Sequence, residues 1–197
     1  MNVIEGIAVL MTLIGIALTI RQHVACWPIG IIGIVAYLIV FIQAKLYADS
    51  ALQPIYIAQS LYGWWYWSRG GRDGEASTPI VTLGWPARGG VAAATGVTAL
   101  VVGMGLARWT DAAAPYADAA LSATSLAANW LLARKVLENW ILWILVNIGY
   151  VILFWRKGLQ LSSGLYLILL GLAVAGLLEW NRARQKQQSP EPHMATA

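Results

Sequence analysis

The second half of this chain repeats the first at a fixed offset of 113 residues, without a gap. Arg21 is matched by Arg134, Trp27 by Trp140, Tyr37 by Tyr150 and Phe41 by Phe154. The register holds onward through Leu46 and Leu159, Gly63 and Gly176, Trp67 and Trp180, and Arg69 and Arg182. Rare residues in phase carry the inference, because Leu and Ile coincide in any two apolar stretches. A duplicated helical unit with a site where its halves meet is a common plan among membrane transporters.

Charge decides the environment. Only 11% of the residues are charged and 59% are hydrophobic, with mean hydropathy +0.63. A soluble domain carries roughly 25% charged residues, so the composition is that of an integral membrane protein. The surplus of 13 Lys+Arg over 9 Asp+Glu sits in loops and the tail, which fits membrane topology rather than nucleic acid. One cysteine, Cys26, allows neither a disulfide framework nor a cysteine-based metal cluster. The N-terminus has no positively charged start, and the apolar run 3–20 is long for a signal-peptide core, so it is expected to be a retained span.

Seven apolar runs are candidates to cross a bilayer: 3–20, 27–43, 52–67, 90–107, 116–133, 139–155 and 161–180. The alternation that a membrane barrel needs does not recur. The expected fold is therefore an all-α integral membrane protein of seven transmembrane helices. Seven spans place four positive charges (Lys45, Arg108, Arg156, Lys157) on one side. The other nine (Arg21, Arg69, Arg72, Arg88, Arg134, Lys135, Arg182, Arg184, Lys186) fall on the opposite side. This bias predicts an external N-terminus and a cytoplasmic C-terminus. The offset maps spans one to three onto five to seven and leaves span four as a linker helix. Because the linker crosses once, both triplets enter in the same orientation, giving a 3+1+3 parallel repeat about an axis along the membrane normal. The divisions expected are a first three-helix repeat over 1–67 and a cytoplasmic loop over 68–89. A linker over 90–107, a second repeat over 114–181 and a disordered cytoplasmic tail over 185–197 complete the chain.

The duplication supplies an internal control. Residues shared by both halves serve packing or the membrane interface, whereas polar residues present in one half mark where symmetry is broken. Asn139, Trp143 and Asn147 are spaced by four and Tyr150 follows, forming one helical stripe whose counterparts are Cys26, Gly30, Ile34 and Tyr37. An Asn at mid-span must face a bundle interior or a cavity, although Asn147 in an interhelical hydrogen bond and Trp143 as a gap filler remain open. Trp140 matches Trp27 near a span end, and Trp64, Trp65 and Trp67 likewise suggest an interfacial aromatic belt. The third span adds Gln53, Tyr56 and Gln59, with Pro54 either perturbing the helix or occupying its first turn. The fifth adds Thr124, Ser125 and Asn129; Ser and Thr often only bond back to their own helix. No acidic residue falls at mid-membrane depth, which argues against a carboxylate proton relay. No metal site and no cofactor are expected.

Two stretches resemble the PnuC family of bacterial nicotinamide riboside transporters. The first runs from Trp27-Pro28-x-Gly30 through Leu46-Tyr47-Ala48-Asp49, Leu52-Gln53, Tyr56 and Tyr62-Gly63-Trp64 to Trp67. The second is Arg134-Lys135-x-x-Glu138-Asn139-Trp140-x-x-Trp143, followed by Asn147, Phe154, Tyr166, Gly176 and Trp180. The resemblance implies a fold like that of SWEET sugar transporters, a homotrimer, and a place in a bacterial inner membrane. It implies facilitated diffusion of a vitamin nucleoside that a cytosolic kinase traps by phosphorylation. It also carries a Trp-x-x-Trp pair onto Trp140 and Trp143 as substrate contacts. Thiamine and riboflavin, which related branches are similar to carriers of, stay open as substrates.

Other classes fare worse. A seven-span photoreceptor needs a lysine in the last span, and 161–180 contains none. An enzyme is not expected, because no His-Glu-x-x-His, Gly-x-Ser-x-Gly or phosphate-binding loop is present. The substrate-binding subunit of an ATP-driven vitamin importer remains an alternative that sequence does not separate from a self-sufficient carrier.

Overall fold

The computed structural model describes residues 3–43, 47–69, 78–110, 114–156, 158 and 160–189. Seven helices run in chain order: α1 (Val3–Ile20), α2 (Cys26–Gln43), α3 (Tyr47–Ser68), α4 (Trp85–Trp109), α5 (Pro115–Ala133), α6 (Asn139–Arg156) and α7 (Gln160–Gln188). An isolated strand-like bridge pairs Val81 with Val136.

Five helices (α1, α2, α4, α6 and most of α7) are long and apolar enough to cross a membrane. The other two, α3 and α5, carry the buried polar residues Gln53, Ser60, Ser125 and Asn129, and they pack on each other. Their polar faces are covered by protein, which is how a helix with Gln, Asn and Ser is tolerated beside lipid.

Helix neighbours are α1–α2, α2–α3, α3–α5, α5–α6, α6–α7 and α7–α1, which closes a ring of six. Helix α4 packs on α5 alone, outside the ring, and leaves Val97, Leu100, Val101, Val102 and Met104 exposed. Its approach to α5 is close because Gly103 lies under the Tyr116 ring, where a Cβ would come within 2.7 Å.

The repeat axis is visible in contacts between counterparts, since a residue can touch its own equivalent only on the axis. Trp67 meets Trp180 at 5.9 Å between ring centroids. The Lys135 ammonium donates to Gln22 Oε1 at 3.2 Å. Both Gln22 and Lys135 turn the chain through positive φ, 58° and 55°, and both turns carry the same backbone bonds. Gln22 N–H donates to Thr19 O and Lys135 N–H to Leu132 O, each at 2.9 Å. Three helices, a linker and three helices about one axis therefore account for the described helices.

Three boundaries move by more than two residues. Helix α3 begins at 47 rather than 52, because Asp49 in its first turn suits a helix N-terminus better than an apolar count can register. Pro54 sits inside α3 rather than in its first turn. Residues 85–89, expected in the loop, are the first turns of α4, with Pro86 in the opening positions that proline favours. Residues 185–188, expected in the tail, continue α7, where Gln187 accepts a hydrogen bond from Ile80 N–H. Residues 70–77 of the expected loop, with Lys45, Lys157 and the tail from 190, lie outside the described residues.

Candidate functional site

The basic end of the ring is closed by four tryptophans in two symmetric pairs. Trp27 meets Trp67 edge-on at 5.3 Å and 90°, and Trp140 meets Trp180 at 5.6 Å and 86°. Each first member is seated on a glycine: a Cβ on Gly63 would lie 2.4 Å from the Trp27 ring, and one on Gly176 would lie 2.5 Å from Trp140. Each second member reaches into the opposite repeat. Trp67 Nε1 donates to Ala133 O at 3.2 Å, and Trp180 Nε1 donates to Thr19 O at 3.0 Å. Trp67 and Trp180 are fully buried, and Trp27 and Trp140 nearly so. The expectation that Trp27, Trp67 and Trp140 anchor at the lipid interface is thus corrected; only Trp64 and Trp65 are exposed as a belt requires. The available signal was the in-phase glycine, since a ring this large needs a missing side chain opposite it.

Lys135 joins this closure and was not anticipated. Its ammonium donates to Thr78 O at 2.9 Å and lies 4.9 Å from the centroid of the Trp67 ring. Burial pushes it down to about 8 from the ordinary lysine value. The segment 78–84 straps across the same end. Val81 exchanges backbone bonds with Lys135 and Leu137, and the Glu138 carboxylate accepts from Leu83 N–H and from Arg88.

Above the tryptophans, helix α6 turns two distinct faces. Ile141, Leu145, Ile148 and Ile152 are exposed, while Asn139, Trp140, Val146 and Asn147 are buried and Trp143 is half-buried. The expected stripe therefore faces the ring interior. Asn139, at the first helical position, donates through Nδ2 to Val136 O at 2.7 Å, and its Oδ1 is buried without a partner. The indole N–H groups of Trp27 and Trp140 are likewise buried and unpartnered. Asn147 is 5% exposed, and no hydrogen bond engages its amide among the described residues. Trp143 packs against the tryptophan cluster from the next turn.

The other candidates separate into two groups. Tyr56, Gln59 and Asn129 come together where α3 meets α5. Asn129 Nδ2 donates to Gln59 Oε1 at 2.9 Å, Gln59 Nε2 donates to Leu126 O at 3.3 Å, and Tyr56 shares a hydrogen bond with Ser125. Gln53 is buried, but its amide bonds Asp49 O within its own helix at 3.2 Å. The Thr124 hydroxyl bonds back to Ala120 O at 2.7 Å and is not brought to the others. Among the described residues no group of His, Cys, Asp or Glu is arranged to hold a metal ion.

Known proteins match this arrangement along its length. The family model described as nicotinamide mononucleotide transporter matches residues 2–182. The nicotinamide riboside transporter PnuC of Escherichia coli (strain K12) is 29% identical, covering 93% of this chain and 87% of its own. The riboflavin/roseoflavin transporter RibM of Streptomyces davaonensis is 27% identical, covering 92% and 85%. A crystal structure of the vitamin B3 transporter PnuC superposes with a TM-score of 0.75 at 22% identity, over 93% of this chain and 82% of that one. That structural likeness speaks for the fold.

Proposed function

Because this chain belongs to the nicotinamide mononucleotide transporter family, we propose that it carries nicotinamide riboside across a bacterial cytoplasmic membrane by facilitated diffusion. One observation supports the site: Asn147, 5% exposed and engaged by no hydrogen bond among the described residues, lies one turn from Trp143 on the interior face of α6. On the same helix, Asn139 Oδ1 and Trp140 Nε1 are buried without a partner, and each such group costs roughly 1–3 kcal/mol, a cost that a ligand removes. On this reading Trp143 stacks on the pyridinium ring, with cation–π attraction of about 2 kcal/mol when desolvated. Asn147 bonds the carboxamide or ribose hydroxyls. Trp140 and Asn139 form the floor of the site, and Gln53, Tyr56, Gln59 and Asn129 hold its far wall.

Among the described residues no Asp or Glu is buried, which supports transport driven by the substrate gradient alone. Net uptake then depends on a cytosolic kinase that traps the nucleoside. The basic end of the ring is the cytoplasmic end on the charge bias, and the working assembly is a homotrimer. A flavin is the second reading, favoured by the similarity to the riboflavin/roseoflavin transporter.

Purified protein in liposomes, offered labelled nicotinamide riboside, riboflavin and thiamine without any ion gradient, tests this. Equilibration of nicotinamide riboside by the protein alone is expected. Preference for riboflavin would establish the second reading, and uptake only after an ATP-driven partner is added would replace the carrier with an importer subunit.

A further inference from the structure

Two cavities at the basic end of the bundle share an aromatic wall. The first, about 400 Å³, is lined by Tyr62, Trp65, Tyr66, Arg69 and Thr78. The second, about 410 Å³, is an apolar slot between α4 and α5 lined by Gly90, Val91, Ala94, Ala127 and Leu131, and it ends at Trp130. Tyr62 from the first cavity stacks on Trp130 at 5.1 Å and 21°, and lies 5.8 Å from Trp65. The wall thus runs Trp65, Tyr62, Trp130, from α3 in one repeat to α5 in the other.

Polarity changes along it. The Arg69 guanidinium lies 3.9 Å over the Trp65 ring, and that of Arg134 lies 5.9 Å from Trp130. The ion pairs among the described residues engage Arg88 and Arg182, not these two. The Thr78 hydroxyl at the first cavity is buried without a hydrogen-bond partner. Around the slot, by contrast, the lining is small and apolar apart from Thr95 and Trp130. A cationic, donor-bearing chamber beside an apolar groove, at helix ends where Trp side chains sit, fits an amphiphile whose head is anionic.

We propose that the two cavities form one binding site for an anionic phospholipid. Its phosphate meets Arg69, Arg134 and the Thr78 hydroxyl, and one acyl chain occupies the α4–α5 slot. The lipid bridges α3, α5 and the linker helix, and so ties the two repeats together on the side where Trp67 also crosses between them.

The full-length protein in detergent, titrated with phosphatidylglycerol and with phosphatidylcholine, tests the site by retained lipid in native mass spectrometry and by thermal shift. Phosphatidylglycerol should be retained and should stabilise, and phosphatidylcholine should do neither. Arg69→Gln and Arg134→Gln should each weaken phosphatidylglycerol about fivefold, as one interfacial cation does. Ala94→Phe, which fills the slot and keeps both guanidiniums, should weaken it as well. Equal binding of the two lipids, or parental retention by the Arg69→Gln/Arg134→Gln double variant, would overturn the proposal. Glycerol phosphate binding as tightly as the lipid would overturn it too, by making this a site for free phosphate. A smaller oligomer without lipid loss in Ala94→Phe would assign the slot to a second copy of the chain.

Discussion

The ring has two seams where one repeat meets the other, and they are built differently. At the α3–α5 seam, Gln59, Asn129, Tyr56 and Ser125 bond across the contact. At the α7–α1 seam the counterparts of Gln59, Asn129 and Tyr56 are Leu172, Ile16 and Leu169. The hydroxyls available there, on Thr12 and Thr19, bond back to Ala8 O and Gly15 O in their own helix. Among the described residues only the Trp180 indole donates across it, as Trp67 does at the other seam. Duplication therefore fixed the tryptophan closure at one end, while mid-membrane chemistry diverged freely. Symmetry is retained where packing demands it and lost where polar groups have been recruited.

The largest effects should fall where the halves still agree. A methyl group added to Gly63 or Gly176 would enter the Trp27 or Trp140 ring, and overpacking of this kind costs typically 1–3 kcal/mol. Gly63→Ala and Gly176→Ala should each lower Tm by several degrees, at about 2–4 °C per kcal/mol for a chain of this size. Gly30→Ala, with nothing within 4 Å of the added atom, should leave Tm unchanged. If one glycine tolerates alanine and the other does not, the two closures are not equivalent.

A smaller effect should appear where the halves differ most sharply. Trp143 stands opposite Gly30 across the repeat, so at this position only the second half offers an aromatic face to a ligand. Trp143→Ala should weaken binding of nicotinamide riboside at least tenfold, about 1.4 kcal/mol, while the protein still folds and assembles. A folded Trp143→Ala protein that binds like the parent would mean that the stripe on α6 only packs.

How much of this the residues disclosed depended on the kind of evidence each position carries. The repeat, the seven helices and the inward face of α6 follow from phase and periodicity, which are properties of the linear chain. The fates of Trp67 and Trp140 do not follow, because a tryptophan at a helix end looks the same whether lipid headgroups or an opposing repeat covers it. Only the pairing of Trp27 with Gly63, reproduced by Trp140 with Gly176, held that information. The part Lys135 plays in the closure was not legible in the same way. Its positive φ is rare outside glycine, and its contacts with Gln22, Thr78 and Trp67 come from three separate segments. Thr124 illustrates the converse: a polar residue on a broken-symmetry helix that merely satisfies its own backbone.

The smallest effect decides what the polar seam is for. Gln59 and Asn129 were candidates to bind substrate, yet they are already bonded to each other. A hydrogen bond between membrane helices contributes about 0.6 kcal/mol on average in double-mutant cycles. If the pair serves to lock α3 on α5, Gln59→Leu and Asn129→Leu should couple by about that amount in the stability of the substrate-free protein. Substrate affinity should then fall by less than threefold in either single variant. If the pair serves the ligand, the pattern inverts: the variants are additive in stability, and each loses affinity by the roughly tenfold that a buried hydrogen bond to a polar ligand can supply. A cycle with coupling in both quantities would mean that the seam rearranges when substrate binds, because a bond that is complete in the empty protein can affect affinity only if binding changes it.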